Sequence, residues 1–278
     1  MYFGNVIQAV GHTPLVALER TSPNMKVKIF AKLEGQNTGG SASIKDRMAK
    51  YVIEKAEQSG ELTKGKNIVE VTSGNTGIAL AWLGRMKDYE VTIIMGDDMS
   101  VERQQLIRLF GAELILAKHE EGVEAAFDKA RELVAIDSKY IWLDQFSNPA
   151  NPLAHYETTG PEIIKDFPND KIDVFIAGSG TGGTVAGTGR RLKEKFPEIK
   201  IFSVEPPSGD TIQGCKSMDE LEQYPPFLDL SLVTERSIVN SEQANTATRQ
   251  LLENEGIFAG QSSGATVHQA IKVAREMD

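Results

Sequence analysis

Beyond Lys66, short apolar runs rich in β-branched residues alternate with longer stretches of helical periodicity. The runs at 68–71, 91–95, 114–116, 141–143, 174–177 and 201–204 read as buried strands, and the stretches at 76–86, 101–110, 123–134 and 184–196 read as helices between them. Such alternation predicts βαβ units, and therefore an α/β fold with mainly parallel twisted sheets flanked by helices. Within 101–110, Val101, Leu106, Leu109 and Phe110 are expected to share one apolar stripe, with Glu102, Arg103 and Arg108 turned away from it.

Two segments share one design, an apolar strand followed by a loop of small residues and a small-residue helix. The first loop reads Thr72-Ser73-Gly74-Asn75-Thr76-Gly77 and the second Gly178-Ser179-Gly180-Thr181-Gly182-Gly183-Thr184. Two lobes, each with its own loop, are expected to meet at a cleft, because loops at the carboxyl ends of parallel strands form the usual ligand crevice. The stretch 206–230 holds four prolines and little periodicity, which predicts an ordered excursion rather than a linker. A helical pattern starting near Ala265 runs to Asp278 without a stop signal, so a missing tail is expected.

The chain's 278 residues suit one large domain or two intertwined lobes, and 40% hydrophobic with 25% charged residues is the balance of a globular protein. With 30 Lys plus Arg against 39 Asp plus Glu, a net charge of −9 disfavours nucleic acid and anionic membranes as partners. Any phosphate must then be held by local geometry. The single cysteine, Cys215, cannot form an intrachain disulfide or a Cys-rich metal site, and it fits a reducing compartment. His12, His119, His155 and His268 show no ligand spacing, so no metal is expected. No run approaches the ~20 apolar residues of a membrane helix, and residues 1–10 lack the order of a signal peptide, so a cytoplasmic protein is expected.

The second glycine loop can aim several backbone N–H groups at one anion beside a helix start, although a tight strand-to-helix turn accounts for those glycines equally well. It lacks a Walker lysine, and its spacing fits phosphate better than a dinucleotide. Lys45, in Ser43-Ile44-Lys45-Asp46-Arg47, stands at a predicted helix start before the amphipathic positions Met48, Tyr51, Val52 and Ala56. By spacing alone it reads as an ordinary solvated lysine.

Several motifs occur together and in order. They are Gly11-His12-Thr13-Pro14-Leu15-Val16, Lys32-Leu33-Glu34-Gly35-Gln36-Asn37, Ser43-Ile44-Lys45-Asp46-Arg47 and the Thr72 to Gly77 loop. Further along come Asp144-Gln145-Phe146-Ser147-Asn148-Pro149, Thr158-Thr159-Gly160-Pro161-Glu162, Gly180-Thr181-Gly182-Gly183-Thr184 and Gly260-Gln261-Ser262-Ser263-Gly264. Together they resemble the cysteine synthase (O-acetylserine sulfhydrylase) family, pyridoxal 5'-phosphate (PLP) enzymes of fold type II, whose architecture is like that of the tryptophan synthase β chain.

The resemblance implies that Lys45 carries PLP and later moves the substrate α-proton. It implies that Asn75 meets the phenolic oxygen, that Gly180, Thr181, Gly182, Gly183 and Thr184 cradle the phosphate, and that Ser262 faces the pyridine nitrogen. Thr72, Ser73, Gly74, Thr76 and Gln145 would receive the substrate carboxylate. Read as residues alone, Ser263 and Gly264 could instead cap the last helix, and Gln145 could pin a strand end.

The lobes implied are 36–146, a smaller mobile lobe with the PLP lysine and substrate loop, and 1–35 plus 147–278, a larger lobe with the phosphate loop and Ser262. The implied reaction replaces the acetoxy group of O-acetyl-L-serine with sulfide, giving L-cysteine and acetate. Leu33-Glu34-Gly35, Asp97-Asp98-Met99-Ser100 and Ala154-His155-Tyr156 resemble the B-type isozyme, for which thiosulfate is an alternative donor. That isozyme can carry two arginines and a tryptophan where this chain reads Gly214-Cys215-Lys216-Ser217-Met218, with Lys216 its one cation. A homodimer is implied, and serine acetyltransferase binding is left open. The family continues past Asp278 into another strand. Competing readings are a cystathionine β-synthase-like replacement and a catalytically idle PLP-fold binding protein.

Overall fold

The computed structural model describes residues 1–220 and 226–277. Pro225, with the rest of 221–225 in the proline-rich excursion, and the terminal Asp278 lie outside the described residues. The chain separates into two compact units, Met1–His12 with Glu34–Asn151, and Thr13–Leu33 with Pro152–Asp278.

In chain order the elements begin with β1 (Leu15–Ala17) and β2 (Phe30–Lys32), an antiparallel pair in the second unit. The first unit follows with α1 (Lys45–Ser59), β3 (Asn67–Val71), α2 (Asn75–Lys87), β4 (Glu90–Gly96), α3 (Val101–Leu109), β5 (Glu113–Ala117), α4 (Gly122–Ile136) and β6 (Tyr140–Trp142). Its four strands form a parallel sheet in the order β5-β4-β3-β6. All five residues of β3 are buried, as a central parallel strand covered on both faces requires. Val69, Val71 and Ile94 pack against Ala126 and Ala130 of α4. The opposite face carries Ile93, close beneath Gly77 of α2.

The stripe expected in α3 is not there. Val101 and Leu109 are 61% and 76% exposed, and Ile107 is the helix's buried residue. The small residue facing it is Gly77, where an added Cβ would lie 3.3 Å from Ile107 Cδ1, so contact with α2 selects Ile107 over the bulkier set the periodicity favours.

The second unit continues with α5 (Ala150–Ala154) and α6 (Gly160–Asp166), joined by a π-helical segment at His155–Thr159. Then come β7 (Val174–Gly178), α7 (Gly183–Lys195), β8 (Lys200–Glu205), β9 (Glu235–Ile238), α8 (Ser241–Glu255) and α9 (Gln261–Glu276). Strands β7, β8 and β9 form a parallel sheet in that order. Val185 and Leu192 of α7 pack with Ile199 and Ile201 beside β8, and Ala265 of α9 packs with Val204. Helix α9 starts at Gln261, earlier than the apolar pattern from Ala265 suggests, with Gly260 as its N-cap. Gly264 is therefore no cap: a Cβ there would lie 2.1 Å from the Ala244 carbonyl oxygen, so its bareness lets α8 and α9 touch backbone to backbone.

Residues 13–33 cluster with the second unit because Arg20 N–H and Thr21 Oγ1 donate to Glu255 and the Phe30 ring packs edge-on against Phe167. Residues 1–12, grouped with the larger lobe in the sequence reading, cluster instead with the Lys45 unit, where Gly11 N–H donates to Asn37 Oδ1 at 2.8 Å.

Candidate active site

In the first unit, Lys45 is the first residue of α1, half-buried, with its backbone N–H donating to Ser43 Oγ at 3.2 Å. The loop before it is clamped by buried Asp46. One oxygen accepts from Ser41 N–H at 3.1 Å and Ser41 Oγ at 2.8 Å, and the other accepts from Ser43 N–H at 3.1 Å. Burial raises the Asp46 pKa, while the backbone and side-chain donors of Ser43 and Ser41 oppose that rise. A second clamp holds the helix's first turn. Arg47 donates Nε to Glu34 Oε2 at 2.7 Å and NH2 to Glu34 Oε1 at 2.9 Å, and Asn37 Nδ2 donates to Glu34 Oε2 at 2.8 Å. The lysine thus sits on backbone fixed from both sides, at the helix end where the dipole disfavours an extra positive charge.

The small-residue loop leads from β3 into α2. Ser73 and Asn75 are exposed, while Gly74 and Thr76 are buried, and Gly74 N–H donates to Thr72 Oγ1 at 3.2 Å. Thr76 donates its hydroxyl to Gln145 Oε1 at 2.8 Å, and Gln145 Nε2 donates to the Val71 carbonyl at 3.2 Å. Thr76 and Gln145, 69 residues apart in sequence, therefore form one unit. Gln145 also pins the end of β3, as its bland reading supposes, and one N–H of its amide remains for a ligand. Asp144 before it is held at φ 47°, a strained setting for a non-glycine residue.

Beneath this pair lies Glu70, 1% exposed, which the sequence reading passed over as part of an apolar strand. Burial pushes its carboxyl up to about 8, against donation from Val71 N–H and Trp142 Nε1. A folded-state pKa above the ordinary 4.5 means that the folded chain holds a proton the unfolded chain releases. This contribution to stability is complete below pH ~4.5 and is lost as pH rises through ~8. The wild-type melting temperature is therefore expected to fall relative to that of Glu70→Gln as pH is raised from 5 to 9. Calorimetry checks this, and parallel pH profiles for the two proteins would refute it.

In the second unit, Gly182 caps α7 at φ 79° with no side-chain cap, leaving backbone donors at the helix start. Ser179 Oγ is fully buried with no hydrogen-bond partner among the described residues, and Gly183 N–H donates to Thr181 Oγ1 at 3.4 Å. A Cβ at Gly180 would lie 2.6 Å from the Gly214 carbonyl oxygen, and one at Gly214 would lie 3.7 Å from Ser262 Oγ. The glycine loop and Ser262, in the first turn of α9, thus converge on Gly214. Buried His155 reaches the same loop from the π segment, with Nδ1 3.0 Å from Thr159 Oγ1 and Nε2 3.3 Å from Thr184 Oγ1.

A family profile described as "Pyridoxal-phosphate dependent enzyme" matches residues 6–278. The chain belongs to that family. Among the PLP-dependent enzymes it is 40% identical to cysteine synthase of Staphylococcus aureus over 279 residues, covering 98% of this chain and 89% of the relative. It is 42% identical to cysteine synthase B of Salmonella typhimurium over 268 residues, covering 96% and 87%. The crystal structure of a hydrogen sulfide-producing enzyme from Fusobacterium nucleatum superposes with a TM-score of 0.91 at 42% identity, covering 99% of this chain and 93% of the other. The chain is a cysteine synthase-like PLP enzyme of fold type II.

The second unit's residues fit the phosphate of this family's cofactor. A cradle that a single Cβ would fill, an uncapped helix start and a buried hydroxyl without a partner are what a phosphate monoester needs. Glu70 and His155 are the polar residues that motif reading missed. A charge inside the run Asn67–Val71 was the available signal for Glu70. No local signal existed for His155, whose loop partner lies 29 residues away.

Proposed function

We propose that this enzyme makes L-cysteine, replacing the acetoxy group of O-acetyl-L-serine with sulfide and releasing acetate. The observation that carries the reading is the 40–42% identity to two cysteine synthases over nearly the whole chain. PLP, when bound, supplies the electron sink that stabilises negative charge at the substrate α-carbon. The chain's own residues do the rest.

Lys45 Nζ would hold the cofactor and, once free of it, would take the α-proton of the substrate. Its position at the start of α1 favours the neutral amine both steps require. Asn75 at the start of α2 donates to the cofactor's phenolic oxygen. Gly180, Thr181, Gly182, Gly183 and Thr184 grip the phosphate. Ser262 would present a hydroxyl rather than a carboxylate to the pyridine nitrogen, an environment that would favour loss of the β-substituent over transamination. Thr72, Ser73, Gly74, Thr76 and Gln145 bind the substrate carboxylate and hold the α-C–H toward Lys45. The same reading makes the enzyme a homodimer in the cytoplasm, a compartment supported by its single cysteine, Cys215, which can form no intrachain disulfide.

The test is the absorbance of the purified holoenzyme through sequential additions. O-acetylserine is expected to move the cofactor band to longer wavelength with release of one acetate per site, and sulfide to restore the band with one cysteine formed. A band indifferent to O-acetylserine would sink the proposal. Faster discharge by homocysteine, yielding cystathionine, would move the enzyme to the cystathionine-forming alternative.

A further inference from the structure

Parallel pairing between β3 and β6 stops at Trp142, whose register partner is Val69. The chain then turns through Leu143 and the strained Asp144 to Gln145. Beyond that point no strand partner on this side meets the Val71 N–H, and side chains take over the ladder. Glu70 Oε1 accepts from its neighbour Val71 N–H at 3.0 Å and from Trp142 Nε1 at 3.4 Å, while Oε2 accepts from Gln145 N–H at 3.2 Å. Gln145 returns the bond through Nε2 to the Val71 carbonyl. A two-oxygen acid thus stands in for the missing strand, joining the last residue of β3 to the backbone of Gln145.

The surroundings make that bridge rigid. Glu70, Thr76, Leu80, Leu143 and Gln145, with Met48 and Val52 of α1, line a void too tight to admit a water molecule. No solvent can replace Glu70 as acceptor there, so loss of either oxygen strands a buried N–H. Asp144 is the charged group that acts on Glu70 through space.

We propose that Glu70 is a positioning residue for substrate binding: by bridging the backbone N–H groups of Val71 and Gln145, it fixes the Gln145–Thr76 pair that receives the substrate carboxylate. The inference rests on the cysteine synthase reading of that pair. It separates Glu70 from an ordinary core residue, because both of its oxygens accept from buried donors, one of them the backbone N–H of Gln145.

Glu70→Gln keeps the size and removes one acceptor, leaving either Gln145 N–H or the Val71 and Trp142 donors facing an amide NH₂. The expected result is a KM for O-acetylserine raised about 10-fold, with kcat and cofactor content near wild type and a melting temperature lower by a few degrees for the one stranded N–H. The backbone amide of Gln145 should also exchange with solvent about 10-fold faster, with or without cofactor. Trp142→Phe, which removes one donor and leaves Gln145 untouched, should move both quantities in the same direction by less. An unchanged KM in Glu70→Gln, or a rise matched by an equal loss of bound cofactor, would overturn the positioning role while a responsive wild-type enzyme left the reaction itself in place. A wild-type enzyme that O-acetylserine does not perturb would remove the functional reading and this role together.

Discussion

Lys45→Ala is expected to lower turnover with O-acetylserine and sulfide by on the order of 10³-fold or more, because on the proposed mechanism one amine serves as both covalent anchor and proton acceptor. The substitution should leave the fold intact. Lys45 is half-buried at the first position of α1, while the loop before it is fixed by Asp46 and the first turn by Arg47. Because the proposed phosphate loop at 180–184 does not include the lysine, the variant should still take up PLP, now without the absorbance band of the lysine-linked cofactor. Turnover, absorbance and melting temperature together check this. A variant that keeps both its band and its turnover would mean that another amine carries the cofactor.

The second large effect is on stability. Glu34→Ala would leave the Arg47 guanidinium, whose side chain is 1% exposed, without its two-pronged carboxylate partner. Removing one member of a buried pair costs about 3–5 kcal/mol, since the guanidinium loses the carboxylate that offsets its desolvation. For a chain of this size that corresponds to a fall in melting temperature on the order of 10 °C. Glu34→Ala combined with Arg47→Met should recover most of the loss, because replacing both members by apolar groups removes the stranded charge. Thermal melts of the two single variants and the double variant measure the coupling. A loss under about 1 kcal/mol in Glu34→Ala would show that the pair contributes no more than a solvated surface bridge.

The sheets were legible because parallel strands covered on both faces must be mostly apolar, so runs such as Val91 to Met95 and Ile201 to Val204 mark themselves in sequence. Helices α4 and α7 match their expected bounds to within two residues at each end because their periodicity is unbroken, and α2 does so because its small and apolar residues run without a breaker between two strands. Strands β1, β2 and β9, of three to four residues each, are too short to show any period. Helix α3 misled because periodicity reports which residues could share a face, whereas the space opened by Gly77 decides which one is buried.

The candidate site divides along the same line. Glycine loops and a lysine at a helix start are local and can be seen in a motif. The pairing of Thr76 with Gln145, the reach of His155 to Thr184, and the bridge made by Glu70 depend on elements brought together from 29 to 75 residues apart. No window along the chain contains both partners.

The π-helical segment at His155–Thr159 carries one more consequence, for insertions and deletions. A π turn holds one residue more than an α turn in nearly the same length of axis, so it works as a lodged insertion within the continuous helical run from Ala150 to Asp166. Deleting a single residue from it would let the run relax to uniform α-helix, and everything on one side would turn by about 100° relative to the other. Gly160 would lose its place against Arg191. The tolerated chain length here is therefore quantised: this helix can exchange side chains freely on its outer face, but it cannot change its residue count by one without breaking the contact that steadies Thr184.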